Sequence, residues 1–248
     1  MRHEHTELHL YFIRHALSHA NLRADLVGGT NLPTPLTEHG HWQADALGRR
    51  LAEDGVAFDL LFVSPAVRTR QTAEGIVKHV PCGHVFTADD LVEIGQGEWE
   101  GRPRSECHTP ESRRAMAEKH IDFAAPGGES IRMVQRRAAN WLEDNLIENP
   151  AILNAGGIQH FGIVSHGITI KSLIQYIMGV ERSLVWRIDL GNTSICHFKF
   201  NARGWWPLTL NDTAHLRGLT PEPLRPARRG FYVPELDDLR AKCYISAS

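Results

Sequence analysis

The feature that most constrains the fold is a repeated order: a short apolar run, a polar cluster, then a helical pattern. Leu8 to Ile13 is one such run, with the β-branched and aromatic content of a buried strand, and Arg14-His15 closes it. Phe58 to Val63 is the second. Ser64-Pro65 follows it, with a helix predicted to have Pro65 at its first position, Arg68 in its first turn, and Thr72, Ala73, Ile76 and Val77 facing inward. Phe161 to Ser165 is the third, followed by His166-Gly167 and a helix carrying Ile170, Leu173, Ile174 and Ile177 that stops at Gly179. Strands that alternate with helices in this way build a mostly parallel sheet covered on both faces. Ligand chemistry in such a sheet collects at the carboxyl ends of the strands.

The stretches between these runs are consistent with that reading. Thr37 is a predicted N-cap for a helix to about Glu53, with Ala44, Leu47 and Leu51 at core spacing. His84-Val85-Phe86 is a weaker strand signal, and residues 102 to 120 read as a solvated helical insertion rich in arginine. Pro126 to Ser130 breaks the chain before a helix carrying Ile131, Val134, Ala138 and Trp141, and Asn154 to Gly157 reads as a loop. Thr193 to Phe200 and Trp205 to Leu210 form a predicted hairpin, and the proline-rich end reads as an extended arm. With 248 residues and 42% hydrophobic content, one core is affordable. Residues 1–248 therefore read as a single domain with an insertion at about 95–128 and a C-terminal arm at about 212–248.

A net charge of -2 supplies no global basic field for nucleic acid or an anionic membrane. No apolar run approaches the roughly 20 residues of a membrane span. The polar start, Met1 to Glu7, lacks a signal-peptide core, so the expected location is cytoplasmic. Cys82, Cys107, Cys196 and Cys243 contain no CxxC pair and read as free thiols.

Arg14-His15, Arg68 and His166 thus occupy three strand ends. Phosphoryl transfer needs an in-line nucleophile, positive charge on the equatorial oxygens and a proton for the leaving oxygen. A neutral imidazole at His15 can be the nucleophile, forming a phosphohistidine that water cleaves in a second step. Two guanidiniums offer paired planar donors to a dianion. A proton donor must be a carboxylic acid kept neutral near pH 7, which a neighbouring phosphate dianion favours. Glu93, at the start of a glycine-punctuated stretch, is the candidate.

Six blocks then resemble the histidine phosphatase superfamily, the phosphoglycerate mutase-like family. They are Arg14 to Asn21 (family pattern RHGxTxxN), Pro35 to Leu51, Ser64 to Ala73, Leu91 to Gly101, Pro126 to Ser130 and Ser165 to Gly167. The resemblance implies a three-layer α/β/α sandwich with a mainly parallel sheet and a helical insertion over the site. It implies His15 as phosphate acceptor, Glu93 as proton donor, and Arg14, Asn21, Arg68, His166 and Gly167 as the phosphate pocket. No cofactor and no metal are expected. The expected partner is a small phosphorylated substrate, with no nucleic acid and no membrane, and a homodimer is admissible. Two positions depart from the pattern: Ala16 replaces glycine and Ser18 replaces threonine. His19 is an extra histidine beside the nucleophile without an assigned role.

Other signals carry less. Cys107 and Arg113 have the C-x5-R spacing of a cysteine phosphatase loop, but no glycine lies between them and no strand precedes them. Pro81-Cys82 lacks the second cysteine of a zinc deaminase, since Val85 stands there. The expected activity is a metal-independent phosphomonoesterase of the phosphatase branch, because Glu93 is followed by Ile94-Gly95-Gln96-Gly97-Glu98-Trp99 rather than the mutases' ERHYG-like run. The alternatives are a cofactor-dependent phosphoglycerate mutase and a phospho-ligand-binding protein without turnover.

Overall fold

The first strand, β1 (Thr6–Arg14), has two apolar faces in the computed structural model, which describes residues 5–180 and 185–218. Leu8, Leu10 and Phe12 are buried on one side, and Tyr11 and Ile13 on the other, because successive side chains alternate across a sheet. β1 lies beside β4 (Gly157–Ser165), and β2 (Phe58–Val63) and β3 (Cys82–Thr87) continue the sheet beyond β4. These four strands are parallel. On the other flank, β5 (Ile195–Asn201) runs antiparallel to β1 and pairs with β6 (Gly204–Asp212) in the expected hairpin. The order is β3-β2-β4-β1-β5-β6, a mainly parallel sheet with an antiparallel flank.

Helices cover both faces. On one, α2 (Glu38–Glu53) and α3 (Val67–Val77) bury Leu47, Leu51, Ala73 and Ile76 against Tyr11, Ile13, Leu61 and Val63. Thr37 caps α2 as expected, its hydroxyl accepting the Gly40 amide at 2.9 Å. On the other, α6 (Ile131–Leu142), α7 (Pro150–Ala155) and α8 (Gly167–Met178) pack Trp141, Leu142, Ile152, Ile170, Leu173 and Ile174 on Leu8, Leu10 and Phe12. Gly179 ends α8 in the left-handed conformation, φ 59°. A short α1 (His19–Leu22) follows β1, and α4 (Arg104–Cys107) and α5 (Pro110–Lys119) form the insertion. No helix among the described residues is long and apolar enough to cross a membrane.

Several local expectations are corrected. Pro65 precedes α3 rather than opening it: Ala66 is the N-cap, and the Val67 amide donates to the Leu32 carbonyl at 2.8 Å. Val77 is exposed, not inward. Asn154 and Ala155 belong to α7, which Asn149 caps, and Gly157 opens β4, so the loop shrinks to Gly156. The insertion is more than a solvated face: Val27, Trp99, Cys107 and Ala125 form a small core with Met116 and Phe123 packed on it. The C-terminal arm opens with a packed 3-10 turn, Ala214–Leu216, whose His215 ring meets the Thr193 hydroxyl at 2.9 Å. Residues 219–248 of the arm lie outside the described ones.

The face of β1 that carries Tyr11 also carries three imidazoles. His9 stacks on His160, and His197 stacks on Tyr11 with ring centroids 4.1 Å apart. Burial, then the neighbouring His9 and His160, push His197 down to about 4, and burial lowers His160 and takes His215 to about 4. Such groups protonate near pH 6.5 in an unfolded chain. Between that pH and about 4 the unfolded state holds more protons, so stability is complete above about 6.5 and drains away as pH falls. Partial exposure limits each ring to about 1 kcal/mol. Thermal unfolding between about pH 7 and pH 4.5 should show a falling midpoint, and His197→Phe should flatten the slope. An unchanged slope in the variant would refute the assignment.

Candidate active site

The carboxyl ends of β1, β4 and β2 deliver Arg14-His15, His166 and Ser64 to one place. The register pairs Arg14 with Ser165 and Val63 with Val164, so the following residues leave the sheet side by side. The His15 and His166 rings lie 5.2 Å apart, edge to face. Arg68, in the first turn of α3, brings Nη2 within 3.1 Å of His166 Nδ1. A Cβ built on Gly167 would stand 3.7 Å from Arg14 Nε and 3.8 Å from Glu93 Oε2. Asn192 ties Asn21 in, donating to the His15 carbonyl at 2.9 Å and to Asn21 Oδ1 at 3.3 Å. The structure thus gathers every expected site residue into one cluster.

Hydrogen-bond partners set both tautomers. His15 Nδ1 lies 2.7 Å from the Ala16 carbonyl, which only accepts, so Nδ1 carries the proton and Nε2 presents its lone pair. Arg68 only donates, so His166 Nδ1 accepts, and its Nε2–H donates to Ser64 Oγ at 2.7 Å. Burial, then Arg68 and Arg14, hold His15 well below the ordinary imidazole range. His166 is lowered by burial, Arg68, His15 and Arg14 in turn. Both rings are therefore neutral at physiological pH. In this form the Nε2 lone pair of His15 is not taken up by a proton, and fixed positive charge encloses the ring.

The charged partners are tied to backbone. Arg68 is buried and donates to the carbonyls of Asn31 (2.6 Å) and Thr30 (3.1 Å). Burial lowers its pKa, and Glu93 and Glu100 oppose that. Arg14 Nη1 donates to the Leu190 carbonyl. The Glu93 carboxylate accepts the Ile94 amide at 3.0 Å and the Ile168 amide, in the first turn of α8, at 3.3 Å. Glu100 Oε1 accepts from the Thr30 amide, the Thr30 hydroxyl and the Gln96 amide, which fastens the loop under Arg68 to the insertion.

The departures at Ala16 and Ser18 now have physical accounts. Ala16 is not among the positive-φ residues, and its side chain is buried with Leu36 and Ala44, so this site has room for a methyl group. Ser18 keeps the hydroxyl, which donates to Asn21 Oδ1 at 3.0 Å. His19 is exposed and stands outside the cluster. Cys107 lies in the insertion's own core rather than at a strand end, and Trp99 packs there with it.

Sequence reasoning missed the residues that hold the loop after His15. The Ala16 amide donates to Thr72 Oγ1 (3.0 Å), the Leu17 amide to Gln43 Oε1 (2.9 Å) and the Leu36 amide to Gln71 Oε1 (2.8 Å). All three lie inside the quoted motif blocks, which was the available signal. Asn192 lies outside those blocks and carried no such signal.

A model described as the histidine phosphatase superfamily (branch 1) matches residues 10–213. A probable phosphoglycerate mutase of Klebsiella pneumoniae is 30% identical over 216 residues, covering 84% of this chain and 95% of that one. Among solved structures, a mutant phosphoserine phosphatase from Entamoeba histolytica in complex with phosphoserine has a TM-score of 0.69 at 26% identity, covering 84% of this chain and 99% of that one. The α-ribazole phosphatase of Shigella flexneri has a TM-score of 0.67 at 25% identity, covering 83% and 96%.

Proposed function

The chain belongs to the histidine phosphatase superfamily, and from that premise we propose that it is a metal-independent phosphomonoesterase that works through a phosphohistidine at His15. The observation that carries this reading is the His15 tautomer: a buried neutral ring with Nδ1–H spent on a carbonyl and Nε2 left to attack. Arg14, Arg68, Asn21, His166 and Gly167 receive the phosphoryl oxygens, and the guanidiniums draw charge from phosphorus as the bond to Nε2 forms. Glu93 delivers a proton to the departing alcohol oxygen as the P–O bond breaks. It then takes a proton from water, whose oxygen attacks phosphorus, restores His15 and releases inorganic phosphate.

Two named relatives support hydrolysis, phosphoserine phosphatase and α-ribazole phosphatase, and the residues after Glu93 take the phosphatase form. The probable mutase favours the second reading, in which the same phosphohistidine returns its phosphoryl group to the substrate. An assay with p-nitrophenyl phosphate, phosphoserine and 3-phosphoglycerate, with and without EDTA, separates them. Phosphate release undiminished by EDTA is the expected result. Isomerisation of 3-phosphoglycerate without phosphate release would sink the proposal, and no turnover of any ester would favour a binding protein.

A further inference from the structure

Arg137 touches none of the proposed reacting groups, yet it organises the backbone on both sides of Glu93. From α6 it forms a paired contact with Glu129, Nε to Oε1 at 2.9 Å and Nη2 to Oε2 at 3.1 Å. The same guanidinium donates to the carbonyls of Asp90 (2.6 Å) and Glu93 (3.2 Å). Glu129 completes the frame, accepting the Gly95 amide at 2.9 Å while its own amide donates to the Gly95 carbonyl at 2.7 Å. The segment from 90 to 95 is thereby held before, at and after the residue that carries the carboxylate.

The frame is anchored to the helix that grips the carboxylate itself. Gln135, on α6, donates to the Ser172 carbonyl at 3.4 Å and to Gln175 Oε1 at 3.2 Å, both on α8. The first turn of α8 supplies the Ile168 amide to Glu93 Oε2. Burial alone would raise Glu129, but the Arg137 bonds and the Gly95 amide outweigh it and hold the carboxyl ionised. A planar five-donor fork suits this task, whereas an ammonium serves one direction at a time.

We infer that Arg137, acting with Glu129, is a positioning residue for proton transfer by Glu93. The inference rests on the reading of Glu93 as the proton donor. If it is correct, loss of Arg137 damages leaving-group protonation much more than it damages phosphate binding or attack by His15. Leaving-group dependence distinguishes this from a merely structural role. A p-nitrophenolate departs without a proton, whereas the alkoxide of phosphoserine or glycerol phosphate requires one.

The test compares kcat/KM, which reports P–O cleavage, for an aryl and an alkyl phosphomonoester in the wild type and in Arg137→Gln, Arg137→Lys, Glu129→Gln and Glu93→Gln. Thermal unfolding screens each variant for folding. General acids contribute about 10²–10⁴-fold, so Arg137→Gln should lose about 30-fold or more with the alkyl ester and only about threefold with the aryl ester. Glu129→Gln should follow the same pattern, and Arg137→Lys should recover only part of the loss. Equal losses with both esters, or no loss with either, overturn the inference. A larger loss with the alkyl than with the aryl ester in Glu93→Gln, but not in the Arg137 and Glu129 variants, also overturns it, while leaving the acid assignment standing. If Glu93→Gln itself shows no such discrimination, the reading of Glu93 fails, and the inference falls with it.

Discussion

Replacing His15 by alanine should lower phosphomonoester turnover by about four orders of magnitude or more, because the proposed covalent intermediate forms on that ring. His166 has one nitrogen accepting from Arg68 and the other donating to Ser64. The fold should survive, since the ring contributes one hydrogen bond and sits among guanidiniums rather than in the main core. The thermal midpoint should therefore stay within a few degrees of the wild type, or rise, as is common when a functional group is removed from a strained site. Acid-labile, base-stable radiolabel should accumulate on quenched wild type and be absent from the variant. Retention of a tenth of the activity in the variant, or of its label, would rule out His15 as the acceptor. Because its environment holds the ring neutral, the acid limb of the rate profile should lie below that of an ordinary histidine.

The largest expected effect on folding comes from Gly40, in the first turn of α2. A Cβ there would lie 2.0 Å from the Leu17 carbonyl oxygen, 3.0 Å from its carbon and 3.2 Å from Leu36 Cβ. Alanine in a helix normally gains about 1 kcal/mol over glycine. Here the contact is with backbone that cannot retreat. The Leu17 carbonyl accepts the Thr37 amide at 2.9 Å, and the Leu17 amide is held by Gln43. Overpacking of this kind costs about 1–3 kcal/mol and more when backbone must move, so the clash outweighs the helical gain. Gly40→Ala should unfold about 4–8 °C earlier. It should also lose activity, because Leu17 lies two residues from His15. Gly28→Ala, with nothing within 4 Å of the added carbon, is the control. A Gly40→Ala protein as stable as that control would remove the close approach from the account.

What was legible in the chain tracks how locally each feature is encoded. The strands and the three residues at their ends were readable because period, length and punctuation all lie within a few neighbours, as at Phe58–Val63. Glu93 was readable only through its motif, because its geometry depends on α8, which is distant in sequence. Gln43 and Thr72 serve backbone amides, and any buried glutamine or threonine could do the same, so their composition carried no message. Asn192 reaches His15 from a loop just before β5, a contact set by topology alone. The π-helical turn Glu143–Ile147 and the six-residue α7 were missed for a different reason. One is a one-residue change in winding, and the other is too short for a periodic signal.

The pairing of β1 with β4 and of β4 with β2 works as a ruler. Adjacent strands stand about 4.8 Å apart in any sheet, whatever their side chains. The span between the two histidines is therefore a dimension of the polypeptide itself. The segment that meets the Arg68 loop through Glu100 has no such standard, being built from short helices with a small core of their own. Of the two parts, the sheet is the fixed jaw and residues 95–128 the adjustable one. Grafts there that spare Gly95 and Glu100 leave the sheet-built cluster of Arg14, His15 and His166 in place.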